Sequence, residues 1–234
     1  MGFGIKLRVW GEYACFTRPE MKSERVSYDV ITPSAARGII ESIYWKPSIR
    51  WVIDKITVMS VIPAEFGNIM INEVKSKSKR PPNDLDGAAD EILDNLTIYT
   101  RENNEISQRR MMFLKNPDYI IEAHFESSGV GDDAFDFKKH YNMVLRRAEN
   151  GQCYKQPVFG MRNFSANFKL IKDDDKIESP LKGDIDFGYM LYDIDFKKDK
   201  NGKALNAGDP IFYRAKMRDG VIDVAECYKQ GGHQ

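Results

Sequence analysis

Tyr44 and the adjacent pair Lys139-His140 are the side chains of this sequence best suited to move a proton together. His140 is one of three histidines and falls at the margin of an apolar helical face, just after the cap candidates Asp133 and Asp136. An imidazole in that place either rests against a backbone carbonyl or serves as an acid or base near neutral pH. Tyr44 follows Arg37 and Glu41 on the polar side of an earlier helical pattern, which turns the phenol away from the core. A tyrosine is otherwise used for amphipathic packing. A free phenol titrates at about pH 10, so as a base Tyr44 needs a nearby cation, and Lys139 is the candidate. His124, between Glu122 and Glu126, reads as an outward strand residue, and His233 as part of a tail.

Positive charge is local. Thirty-five Lys and Arg balance thirty-five Asp and Glu, which excludes a global field for holding nucleic acid. The basic clusters are Lys75, Lys77, Lys79 and Arg80, and then Arg109, Arg110 and Lys115 with Tyr99, Phe113 and Tyr119 interleaved. Arginines among aromatics suit phosphate contact plus base stacking, although such runs are commonly solvated surface. Arg37, Lys75, Lys77, Arg109, Arg110 and Lys115 are the candidate RNA contacts. There is no phosphate-cradling P-loop, no dinucleotide glycine motif after a strand, no HExxH and no nucleophile elbow. Cys15, Cys153 and Cys227 form no CxxC pair, which points to reduced thiols in a cytosol rather than a zinc ribbon. No metal, cofactor, signal peptide or membrane span is expected, and the chain is assigned to the cytoplasm.

The elements that must carry these residues follow from periodicity. Ile5, Leu7 and Val9 alternate with polar neighbours as a strand. Thr32-Pro33 starts a helix with Ala35, Ala36, Ile39, Ile40 and Ile43 inward, ending before Lys46-Pro47. A strand with a bend or bulge covers Trp51 to Ile62, residues 63–116 read as a long insertion, and residues 118–127 form another strand. A helix led by Asp133 or Asp136 buries Phe137, Tyr141, Val144, Leu145 and Ala148 and stops at Asn150-Gly151; Phe164, Ala166, Phe168 and Leu170 alternate after it. The order βαββαβ predicts an α+β, ferredoxin-like (RRM-like) domain over residues 1–172. Past Asp173-Asp174-Asp175, runs at Met190–Phe196, Ile211–Met217 and Val221–Val224, with a turn at Asp219-Gly220, predict a small C-terminal antiparallel β-sheet domain over about residues 178–228.

Several segments together resemble one family. Val9-Trp10-Gly11-Glu12-Tyr13-Ala14 with Phe16-Thr17, Thr32 to Ser34, and Glu41-Ser42-Ile43-Tyr44-Trp45-Lys46-Pro47 resemble the CRISPR-associated Cas-five proteins of the Dvulg (type I-C) subtype. So do Glu122-Ala123-His124-Phe125, Lys139-His140-Tyr141, Phe159-Gly160, Ala166-Asn167-Phe168, Gly188 to Asp193 and Phe212 to Ala215. The resemblance implies a RAMP-type protein that cleaves CRISPR precursor RNA within its repeat hairpin without metal, keeps the 5′ handle and joins the type I-C interference complex. It places the family's cleavage-site tyrosine, lysine and histidine on Tyr44, Lys139 and His140. Metal-independent cleavage uses the ribose 2′-OH as nucleophile, so the protein must accept that proton, stabilise the phosphorane and protonate the leaving 5′ oxygen. Either Tyr44 or His140 is the base, the other is the acid or positioner, and Lys139 is the electrostatic stabiliser. The alternative is a non-catalytic scaffold that binds the handle. Non-specific DNA contact is the remaining nucleic-acid partner considered.

Overall fold

Apolar alternation and two capped helices account for most of the architecture. The computed structural model describes residues 4–21, 23–74, 106–129, 136–172, 177–195 and 208–230. In chain order the strands are β1 (Gly4–Trp10), β2 (Tyr13–Ala14), β3 (Arg25–Val26), β4 (Ile49–Val58), β5 (Phe66–Val74), β6 (Ile106–Lys115), β7 (Asp118–Ser127), β8 (Asn167–Leu170), β9 (Asp184–Asp195), β10 (Asp209–Arg218) and β11 (Val221–Asp223). The helices are α1 (Pro33–Ile43), α2 (Phe137–Glu149) and α3 (Val224–Gln230). Lys75, Lys77, Lys79, Arg80, Tyr99, Asp133, Asp173 to Asp175, Phe196 and His233 lie outside the described residues.

The main sheet has seven strands in the order β8-β1-β7-β4-β11-β10-β9, every neighbouring pair antiparallel. Ile5, Leu7 and Val9 of β1 and Tyr119, Ile121, Ala123 and Phe125 of β7 face the core, with Trp51, Ile53 and Ile56 of β4 beside them. The expected irregularity in the second long strand is a register shift between Ile53 and Lys55, where β4 pairs with β7. The turn at Asp219-Gly220 has positive φ at both residues, 47° and 78°, as the tight hairpin joining β10 to β11 requires. The C-terminal strands pair antiparallel as expected, and β11 also bonds to β4, so they continue the main sheet. Val224 departs from its expected strand: the Asp223 carboxylate accepts the Glu226 backbone N–H at 2.9 Å, and the chain turns into α3.

Residues expected as an irregular insertion contain β5 and β6, which pair along their length as a hairpin. β2 pairs antiparallel and β3 parallel with β6, giving a second, smaller sheet. Tyr13 and Phe113 meet edge to face at 5.1 Å, next to Phe164. The segment after α2 is pinned to this region by Cys15 N–H donating to the Phe159 carbonyl at 3.1 Å. Gly160, at φ 78°, passes so near that a Cβ would lie 2.0 Å from the Cys15 carbonyl oxygen.

α1 packs on β4 and β9, α2 packs on β8, and the two helices touch. Thr32 caps α1 through its hydroxyl, which accepts from Ala35 N at 3.3 Å, with Pro33 at the first helical position. Asp136 caps α2 by accepting from Lys138 N and Lys139 N at 2.9 and 3.1 Å. Among the described residues, no helix is long and apolar enough to cross a membrane.

Candidate active site

The site forms where the C-terminus of α1 meets the first turn of α2. A helix leaves its last carbonyls without intrahelical donors, and those of α1 are taken up by three separate parts of the chain. Tyr44 N donates to the Ile40 carbonyl at 3.0 Å, Tyr154 N and Lys155 N both donate to Ser42 at 2.9 and 3.1 Å, and the Arg147 guanidinium donates to Ile43 at 2.8 Å. The Trp51 indole N–H then holds the Tyr44 carbonyl at 3.0 Å.

Tyr44 corrects the helical-wheel expectation that its ring faces away from the core. The helix ends at Ile43, and Tyr44 takes an extended conformation (φ −151°, ψ 122°), which swings the side chain inward until only 3% of the residue is exposed. His140 is the first inward residue of α2 and is 6% exposed. The Tyr44 hydroxyl and His140 Nδ1 are 2.8 Å apart, their ring centroids 6.0 Å apart, and the Phe125 ring meets His140 edge-on at 6.3 Å.

Burial pushes the Tyr44 phenol above its ordinary pKa, and the positive charge of Arg147 offsets that only in part. The phenol is therefore protonated at neutral pH. The cation over its ring is Arg147, at 5.2 Å, rather than the expected Lys139. Periodicity gave Arg147 only a place near the end of its helix; its double contact with α1 depends on how the helices cross, which sequence spacing does not reveal. Lys139 is exposed and adjoins His140 in the first turn of α2. The structure thus brings Tyr44 and His140 into direct contact and leaves Lys139 at the surface beside them.

The expected RNA contacts are scattered. Arg37 grips Asp193 through two nitrogens, one at 2.7 Å, and reaches Glu41 at 3.5 Å, tying α1 to β9. Arg109 pairs with Glu73 at 3.2 Å and Lys115 with Glu65 at 2.7 Å, while Arg110 is exposed. Among the described residues no three His, Cys, Asp or Glu side chains converge as a metal-ligand set.

The mixed α+β fold with mostly antiparallel sheets is shared with solved structures. One solved structure, described as a CRISPR-associated protein, aligns with a TM-score of 0.64 and 21% identity over 96% of this chain and 94% of its own. A functionally uncharacterized protein from Streptococcus mutans aligns with a TM-score of 0.64 and 22% identity over the same shares. The family model described as CRISPR-associated protein (Cas_Cas5) matches residues 4–225, and the chain belongs to that family. It is 43% identical over 232 residues to the CRISPR pre-crRNA endoribonuclease Cas5d of Mannheimia succiniciproducens, covering 97% of this chain and 96% of that one. The like-named protein of Thermus thermophilus is 33% identical over 238 residues, covering 97% and 93%.

Proposed function

We propose that this chain is a metal-independent endoribonuclease that cleaves CRISPR precursor RNA within its repeat hairpin, keeps the 5′ handle and acts as a subunit of the type I-C interference complex in the cytoplasm. The observation that carries the reading is the 2.8 Å contact between Tyr44 and His140, in a chain so similar to two pre-crRNA endoribonucleases. In the mechanism we assign, His140 Nδ1–H donates to the Tyr44 oxygen and Nε2 takes the proton of the ribose 2′-OH. The 2′ oxygen forms a bond to phosphorus, the bond to the 5′ oxygen breaks, and a proton from the Tyr44 phenol completes the leaving hydroxyl. The products are a 2′,3′-cyclic phosphate and a free 5′-OH. The raised phenol pKa suits Tyr44 to the donor role. Lys139, with the N-terminus of α2, stabilises the phosphorane. At 3% and 6% exposure the pair accepts a phosphate only when the side chains that cover it give way.

We also read β1, α1, β4, β7, α2 and β8 as a ferredoxin-like βαββαβ unit, a reading supported by the spatial order β8-β1-β7-β4 and by a helix after the first and third of these strands. Residues 1–172 are assigned to this domain and 178–228 to a C-terminal β unit on its β4 edge. Of the charged RNA contacts, Arg110 is retained with Lys75 and Lys77, whereas Arg37, Arg109 and Lys115 reach RNA only by releasing carboxylates.

The test is incubation with repeat RNA of the chain's own locus in EDTA, beside the same RNA carrying a 2′-deoxyribose at the cleaved nucleotide. Cleavage of the unmodified RNA alone is expected. Binding of both without cleavage would overturn the enzyme reading and leave a handle-binding scaffold, a role that the burial of the Tyr44–His140 pair also suits.

A further inference from the structure

Two exposed aromatic residues are carried by backbone next to the segment that holds the buried Tyr44. Trp45 follows Tyr44 directly and is 52% exposed; Tyr154 is 87% exposed. Large aromatic side chains lose favourable burial when left in water, so rings held out at a chemically active place need an explanation. Tyr154 is not on a loose loop: its own N–H and that of Lys155 are both bonded to the Ser42 carbonyl, two residues before Tyr44. The Trp45 backbone is fixed on both sides, since the Tyr44 carbonyl is held by Trp51 and the Lys46 carbonyl accepts from Ile49 N at 3.1 Å. Next to each ring in sequence is an exposed lysine, Lys46 after Trp45 and Lys155 after Tyr154, and neither makes an ion pair among the described residues.

We infer that Trp45 and Tyr154 are a stacking clamp for unpaired RNA bases flanking the scissile phosphate, with Lys46 and Lys155 on the neighbouring phosphates. This rests on the reading of the chain as an RNA-cleaving protein. The physical case is the combination of features. A base offers a flat π face whatever its identity, so pre-anchored rings grip unpaired nucleotides without hydrogen-bond readout, and alternating lysines supply the backbone charge. Tyr154 and Lys155 are bonded to Ser42 and Trp45 follows Tyr44 directly, so the backbone that carries both rings is tied to the segment that carries Tyr44. That coupling is what a cleavage site needs, because a phosphate displaced by about 1 Å loses about 10²-fold in rate.

The test uses the full chain and repeat RNA with 2′-deoxyribose at the cleaved nucleotide, so that affinity is measured without turnover. Trp45→Ala and Tyr154→Ala are each expected to weaken binding about tenfold or more, while Trp45→Phe and Tyr154→Phe hold affinity within about threefold and Tyr154→Leu loses it. With unmodified RNA, cleavage by Tyr154→Ala is expected to recover at saturating protein, which separates gripping from chemistry. Wild-type affinity in both alanine variants, or equal affinity for the leucine and phenylalanine variants, would overturn the clamp. Failure of wild-type protein to cleave, with the alanine variants still binding weakly, would overturn the enzyme reading and leave the clamp standing.

Discussion

Around the β5–β6 hairpin Arg25 and Arg109 share Glu73 and Lys115 holds Glu65, whereas at the junction of α1 and α2 the ammonium groups of Lys46, Lys139 and Lys155 are exposed with no ion pair among the described residues. Both regions are basic in sequence. In space the hairpin brings its own acids across the strands, from Glu65 and Glu73 to residues 36 or more positions away in the chain, and largely neutralises itself. The helix junction presents charge together with the buried Tyr44–His140 pair. A basic run in a sequence is therefore a poor guide to where the field is positive, because the pairing partner can come from an element far along the chain.

The largest expected contrast between the regions is chemical. Tyr44→Phe and His140→Ala should each slow cleavage by about 10²–10⁴-fold in single-turnover assays with RNA binding retained. Loss of binding in either variant would move the pair from chemistry to structure. No single charge removal in the hairpin should approach that effect.

Next in size is the support beneath the pair. Arg147→Ala removes a charged donor from the Ile43 carbonyl and the cation from the Tyr44 ring, and should cost about 2 kcal/mol in a denaturant melt. Arg147→Lys restores the charge but not the planar fork, and is expected to recover less than half of that loss.

Salt dependence sharpens the contrast further. Removing Lys46 or Lys155 should flatten the dependence of log affinity on log salt by roughly 0.7–1 each, while Lys115→Ala leaves the slope unchanged because Glu65 already balances that charge. A steeper loss at Lys115 than at Lys155 would reverse the assignment of the RNA-facing surface.

The smallest effect is a pH-dependent stability. His124 Nδ1 lies 2.9 Å from Asp54 and Nε2 lies 3.6 Å from Glu126. Burial lowers the imidazole pKa, but the hydrogen bond and charge of Asp54, followed by those of Glu126, outweigh it and raise the value in the fold. A raised folded pKa gives stability that is complete below the ordinary value of about 6.5 and is lost as pH rises through the folded value. His124→Gln should therefore reduce the change in melting temperature between about pH 6 and about pH 8.

Much of this arrangement was legible from local chemistry. The Thr32-Pro33 start, the Asp136 cap and the strand over residues 118–127 each depend on neighbouring residues, and each stands where its signals put it. Tyr44 was legible as a chemical candidate but not in its direction, because a helical wheel holds only while the backbone is helical and this one becomes extended at Tyr44 itself. Arg147 and the carboxylates facing Arg37, Arg109 and Lys115 were hidden for another reason: their contacts are set by helix crossing and strand register between distant segments. Val224 misled because an apolar residue continues a strand pattern equally well as it opens a short helix.

The pairing of β4 with β11 also bears on the chain's birth at the ribosome. Ile49–Val58 is made early, yet its outer edge meets Val221–Asp223, and Arg37 waits 156 positions for Asp193. Until nearly the whole chain has emerged, a strand edge rich in open backbone donors and acceptors stays uncovered, inviting union with the wrong nascent neighbour. Protein truncated before Val221 would keep that edge permanently, so premature termination should yield aggregates rather than a smaller soluble fragment.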